Sequence, residues 1–92
     1  MDFEWNEAKR QKILAERSLD FADIFLFFDG RPVIHQPTPR DDEERWKSTA
    51  LIAAKFFTVI WMWRDATIRV ISMRRSREQE ARTYRSTIGG GA

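Results

Sequence analysis

Cysteine is absent from the 92-residue chain, which excludes disulfides, thiolate zinc sites and cysteine nucleophiles together. Histidine occurs once, at His35, with no His-x-x-x-His spacing, so it reads as a strand residue and not as a ligand or catalyst. The acidic run Asp41-Asp42-Glu43-Glu44 lacks the alternate spacing of a calcium loop and reads as a solvated turn. No metal and no cofactor is therefore expected. Glycine-rich phosphate loops and the Gly-x-Ser-x-Gly elbow are missing, leaving dinucleotide binding, P-loop chemistry and serine-triad hydrolysis without support. Long apolar runs are missing too. The longest, Leu51 to Trp63, has 13 residues and contains Lys55, whereas a membrane span needs about 20. The N-terminus, Met1-Asp2-Phe3-Glu4, is acidic and has no apolar core of a secretory signal, so the expected address is the cytoplasm and no membrane partner is implied.

What is present suits one folded domain: 42% of the residues are hydrophobic and 33% charged. We expect it over residues 1–86, with 87–92 as a flexible tail ending in Gly89-Gly90-Gly91-Ala92. The net charge of +2 conceals an asymmetry. Residues 1–30 carry four basic and seven acidic side chains, or −3, while residues 64–92 carry seven arginines against three acids, or +4. Arginines outnumber lysines 12 to 4. The guanidinium fork grips phosphate with two parallel bonds and stacks on bases, so an arginine-rich C-terminal third points to a polyanion partner or, more plainly, to a solvated basic face.

Phe3-Glu4-Trp5 reads as a short strand or an extended lead-in. Asn6 caps a helix through Arg17 that opens acidic, in keeping with the helix dipole. Asp20 caps a second, short helix whose stripe Phe21, Ile24, Phe25 and Phe28 follows α-helical spacing to Gly30. Arg31 to Gln36 is a candidate strand placed at a sheet edge by Pro32. Pro37 to Asp42 reads as a mobile loop. Three strands follow in hairpin succession, Glu44 to Ala53, Phe56 to Arg64 and Thr67 to Met73, with turns near Ala54-Lys55 and Asp65-Ala66. In the second, Phe57, Val59, Trp61 and Trp63 share one face and Phe56, Thr58, Ile60, Met62 and Arg64 the other, so both sides are covered. Ser76 and Gln79 fit a capping box opening a last helix to Ser86. The expected fold is α+β: two N-terminal helices packed on a small antiparallel sheet of about four strands, then a C-terminal helix.

Chemistry in this chain rests on arginine. Arg64 and Arg69 end and enter neighbouring strands, Arg74 and Arg75 close the second of them, and Arg77, Arg82 and Arg85 belong to the helix beyond. Converging guanidiniums would grip phosphate, although Glu78 and Arg82 also form an ordinary i, i+4 helix pair. Tryptophans 5, 46, 61 and 63 and Tyr84 offer stacking surfaces for unpaired bases. Trp61 and Trp63 read as core, and Trp46, beside Arg45, as a stacking candidate.

The blocks Phe3 to Lys9, Leu19 to Asp23, Glu44-Arg45-Trp46, Ile68-Arg69-Val70-Ile71-Ser72-Met73-Arg74 and Glu78 to Tyr84 occur in an order that resembles the BrnT toxins of type II toxin–antitoxin systems. The resemblance implies a RelE-like fold and a ribonuclease that arrests growth by cleaving RNA. It also implies a BrnA-like antitoxin with a ribbon-helix-helix DNA-binding part, which neutralises the toxin in a hetero-oligomer and brings it to DNA only through that complex. Where the family commonly has Lys-His-Gly this chain has Glu16-Arg17-Ser18. Arg17 stays protonated, so it can hold phosphate but cannot act as a base. The mechanism that fits these side chains is metal-independent attack of a ribose 2′-hydroxyl on its neighbouring phosphate, with fixed cations stabilising the transition state. The expected catalytic residues are Arg64, Arg69, Arg74, the proton acceptor Glu78 and Tyr84. Lys9, Arg17, Arg45, Trp46, Arg75 and Arg82 are the expected substrate contacts. The alternative is a non-catalytic nucleic-acid-binding or protein-interaction module with the same fold.

Overall fold

In chain order the elements are β1 (Asp2–Glu4), α1 (Glu7–Arg17), a 3-10 helix (Phe21–Phe27), β2 (Val33–Pro37), β3 (Trp46–Ile52), β4 (Lys55–Arg64), β5 (Thr67–Arg75) and α2 (Glu78–Ile88). They come from a computed structural model that describes residues 1–89. The strands form one sheet in the order β1-β5-β4-β3-β2. The β2–β3, β3–β4 and β4–β5 pairs are antiparallel, as the short turns between the last three strands require. The architecture is α+β, but with five strands in a mixed sheet instead of about four antiparallel ones. The fifth strand is the N-terminal segment, which pairs parallel to β5 with Phe3 opposite Ile68 and Glu4 opposite Arg69. Its partner lies some sixty residues away, so no turn signal announces the pairing.

The parity of each strand sorts the side chains onto two faces. One face carries Val59, Trp61, Val70, Ile68, Met73 and Ala50 and packs against Ile13 of α1 and Phe21, Ile24 and Phe27 of the 3-10 helix. The opposite face carries Lys47, Thr49, Thr58, Ile60, Arg69 and Arg74, and α2 covers one end of it through Glu80, Ala81 and Tyr84. A register shift beside Ile60 and Trp61 leaves Ile71 without a partner, a bulge in β5.

Four sequence expectations change for physical reasons. The segment after Asp20 winds with three residues per turn, so its buried stripe is Phe21, Ile24 and Phe27, and Phe25 is 51% exposed. The Asp20 carboxylate both caps this turn at Ala22 N–H and receives the Arg10 guanidinium at 2.6 and 3.0 Å, fixing it to α1. Trp63 ends beyond the core and is 49% exposed, while Trp61 is buried. The stretch after Pro37 is not a loose loop but the continuation of the β2–β3 hairpin: Thr38 N–H donates to Arg45 O, and Arg40 and Glu43 exchange backbone bonds around an Asp41-Asp42 turn. Of the tail expected over 87–92, Thr87 and Ile88 complete α2 and Gly89 caps it, while residues 90–92 lie outside the described ones.

The β3–β4 turn is Ala53-Ala54, both residues left-handed, with φ of 52° and 66°. Such a turn is normally built from Asn-Gly, because a Cβ in this region costs about 1 kcal/mol or more. Replacing Ala53→Asn together with Ala54→Gly should stabilise the protein by about 1 kcal/mol and raise the melting temperature by about 4–8 °C. An unchanged or lower melting temperature in thermal denaturation would show that this turn carries no strain.

Candidate functional site

On the face opposite the 3-10 helix, a hollow of about 270 Å³ opens between the β2–β3 hairpin and the start of α2. Arg40, Arg45, Lys47, Arg74 and Arg77 line it, with Ile60 as its apolar floor. These cations come from different elements, and local structure aims each of them. Lys47 and Arg74 point the same way because they pair with Ile60 and Thr58, neighbours of one parity on β4. The backbone bonds of the hairpin extension hold Arg40 and Arg45 at the rim.

Lys9 and Arg17 of α1 and Arg69 of β5 extend the basic surface. The Lys9 ammonium has its pKa lowered, first by desolvation and then by the charges of Arg45, Arg17, Arg69 and Arg40. Those charges lie within electrostatic range of Lys9, and Arg45 itself pairs with Glu43 at 3.4 Å. Arg17 donates to Met73 O at 2.9 Å beside the β5 bulge, so one of its amino groups is anchored. Arg69 donates to Glu4 Oε2 at 2.6 Å, and the more exposed Arg64 shares the same oxygen at 3.7 Å.

Two of the lining cations, Arg74 and Lys47, meet Glu80, which sequence reasoning passed over. Its side chain is 3% exposed and receives Arg74 bidentately at 2.7 and 2.8 Å. It also accepts from Arg77 N–H at 2.8 Å and Thr58 Oγ1 at 3.1 Å, with Lys47 Nζ 3.3 Å away. Burial by itself raises this carboxyl's pKa. The Arg74 fork, the Arg77 N–H and Thr58 outweigh burial and hold the pKa down at about 2. Thr58 Oγ1 in turn meets Thr49 and Ser76 hydroxyls at 3.1 and 2.8 Å, so the polar network is satisfied throughout. Arg77 is the N-cap of α2 and Glu80 its N3 residue, one position later than the Ser76–Gln79 capping box expected. No capping signal marked this position, because the Arg77 guanidinium has no acceptor to offer the helix N–H groups, whereas Ser76 is a preferred capping residue.

The remaining expected residues lie elsewhere. Trp46 precedes Lys47 and so faces the other side of the sheet, stacked on Trp61 at 6.1 Å. Arg75 sits over the Phe57 ring on that same side. Glu78 and Arg82 pair with each other at 2.7 Å on the exposed surface of α2. Tyr84 is 3% exposed, packs edge-on against Phe56 and donates its hydroxyl to Pro32 O at 3.1 Å. Of the expected residues the structure places Arg45 and Arg74 on the hollow and Lys9, Arg17 and Arg69 within electrostatic range of one another, adds Arg40, Lys47 and Arg77 with Glu80 beside them, and sets Arg64, Trp46, Arg75, Glu78, Arg82 and Tyr84 apart. His35 hydrogen-bonds through Nδ1 to Ser48 Oγ, which accepts from Trp61 Nε1 at 2.7 Å. Among the described residues no three histidine or carboxylate side chains form a metal-ligand set, and no helix is long and apolar enough to cross a membrane.

A family model described as "Ribonuclease toxin, BrnT, of type II toxin-antitoxin system" matches residues 5–80. No curated protein matches the chain.

Glu80→Gln should destabilise the fold by about 3 kcal/mol, since it leaves the Arg74 fork facing a neutral amide. The carboxyl's pKa is depressed in the folded state, so its contribution is complete above the unfolded value near 4.5, falls as pH drops towards about 2, and is absent below that. Chemical denaturation of both proteins between pH 7 and pH 2 should show the two stabilities converging in acid. A gap that persists at pH 2 would assign the loss to packing alone.

Proposed function

The chain belongs to the BrnT family of ribonuclease toxins of type II toxin–antitoxin systems, and from this membership we propose that it is a metal-independent endoribonuclease acting through its cationic cleft. The family implies RNA as substrate and a protein antitoxin as partner. The observation that carries the finer reading is the meeting of Arg40, Arg45, Lys47, Arg74 and Arg77, from the β2–β3 hairpin, β5 and the start of α2, around one hollow.

In this reading the scissile phosphate lies against Arg74 and Arg45. The 2′-oxygen forms a bond to phosphorus as the bond to the 5′-oxygen breaks, leaving a cyclic phosphate on one fragment and a hydroxyl on the other. A base removes the 2′-proton, and the 5′-oxygen takes up a proton as it leaves. Fixed guanidiniums stabilise the added negative charge of the phosphorane without having to reorganise. Glu80 positions Arg74 and is itself committed to that bond, so it is not the base. Lys9 is the better acceptor, because its surroundings favour the neutral amine. Glu78, the acceptor expected from sequence, and Tyr84 are engaged by Arg82 and Pro32 outside the cleft. The order of two helical segments, antiparallel hairpins and a final helix also supports the RelE-like reading of the fold. A BrnA-like ribbon-helix-helix antitoxin, DNA contact only through its complex and a cytoplasmic address complete the proposal. Arg17, in place of the family's histidine, favours a second reading in which the same cleft binds RNA without turnover.

Incubation of the purified protein with RNA in EDTA separates the two. Cleavage leaving 5′-hydroxyl ends supports the nuclease, and a salt-sensitive shift without cleavage supports the binder. Arg45→Ala and Arg69→Ala should each lower cleavage and growth inhibition at least tenfold with the melting temperature kept, whereas Lys55→Ala, which removes a charge outside the cleft, should not. The cleavage rate should rise with pH in the alkaline range as Lys9 deprotonates. Lys9→Arg keeps the charge but should be slow at every pH, and full activity in Lys9→Arg would remove Lys9 as the base.

A further inference from the structure

A second hollow, of about 140 Å³, opens beside the phosphate cleft, and Lys47 and Arg77 line both. Its other walls are Gln36, Gln79, Glu80 and Thr83. Gln36 stands opposite Lys47 in the β2–β3 ladder, and Gln79 is the second residue of α2, so two rigid elements present an amide each to one space. An amide offers a carbonyl acceptor next to N–H donors, the complement of a nucleobase edge, and the Thr83 hydroxyl both donates and accepts. Gln11 commits its amide to Glu7 at 2.8 Å, but neither Gln36 nor Gln79 makes a side-chain hydrogen bond among the described residues. Glu80 is already occupied by Arg74, Arg77 and Thr58 and adds no reading group of its own.

We propose that this hollow is a nucleobase subsite, in which Gln36 and Gln79 read the hydrogen-bonding edge of one base flanking the bound phosphate. The proposal rests on the RNA-directed reading of the cleft and adds sequence selection to it. Cations grip any phosphodiester alike and carry no sequence information, whereas a pair of amides rejects a base whose donors and acceptors are misplaced. Both side chains are free of internal bonds, so truncating them leaves the fold intact.

The test is cleavage of an RNA pool of random sequence, with the 5′-hydroxyl ends sequenced, for the wild type, Gln36→Ala and Gln79→Ala. The wild type should favour one base at a single position beside the cut by about tenfold. Each variant should flatten that preference while cutting the pool at a similar total rate and showing the same salt dependence of binding. An unchanged profile in both variants would overturn the proposal, as would a wild type that cuts without preference, and both results leave the nuclease reading standing. Absence of any cleavage would instead count against the nuclease reading, and the subsite is then judged by binding. Affinities for oligo-A, oligo-C, oligo-U and a guanine-containing oligomer at fixed salt should differ in the wild type and converge in the variants. Identical affinities in all three proteins would overturn it.

Discussion

One buried carboxylate organises this molecule. Glu80 sits where α2 crosses the sheet, and its oxygens collect a guanidinium from β5, a hydroxyl from β4, an ammonium from β3 and the first free N–H of its own helix. A charge at that depth would be costly if any of those partners were missing. With all of them present it ties three strands and a helix to a single point and turns Arg74 towards the cleft. The cationic surface is therefore not a set of solvated arginines spread over a face. It has a fixed centre, and the hairpin extension sets Arg40 and Arg45 on the same hollow as Arg74.

Much of the scaffold was legible in the sequence because it follows local rules. Alternation in β4 told both faces apart, the short turns dictated antiparallel neighbours, and Pro32 marked the edge. The misreadings share a cause, which is that the competing signals differ by one residue. A stripe at 21, 24 and 25 or at 21, 24 and 27 decides between a helix of 3.6 residues per turn and one of three. A cap at Ser76 or at Arg77 decides whether Gln79 or Glu80 turns inward. Parity decides for Trp46, since a strand sends adjacent residues to opposite sides and Lys47 takes the cleft. The segment of β1 read as a short strand or an extended lead-in, but nothing local announced its parallel pairing with β5.

The site was legible in kind and less so in membership. Arginine excess in the last third raised the expectation of an anionic ligand, and of those arginines Arg74 and Arg77 line the hollow. Arg40 and Lys47 escaped notice because they belong to a stretch of nearly balanced charge, and only the hairpin brings them to the β5 residues. Sequence distance also hid the sharing of Glu4 by Arg64 and Arg69, which needs the parallel strand to exist. Long-range pairing, not residue type, was the missing information.

The two rims of the sheet have a consequence for how the protein behaves in a crowded solution. One rim is β1, only three residues long, and the other is β2, which Pro32 precedes and Pro37 ends. A short rim offers few backbone groups, and proline offers none to donate, so neither side makes a good template for a neighbouring chain. At these two strands a sequence rich in aromatic and branched residues offers little purchase for backbone zippering, a protection that lies in the borders of the sheet and not in its interior.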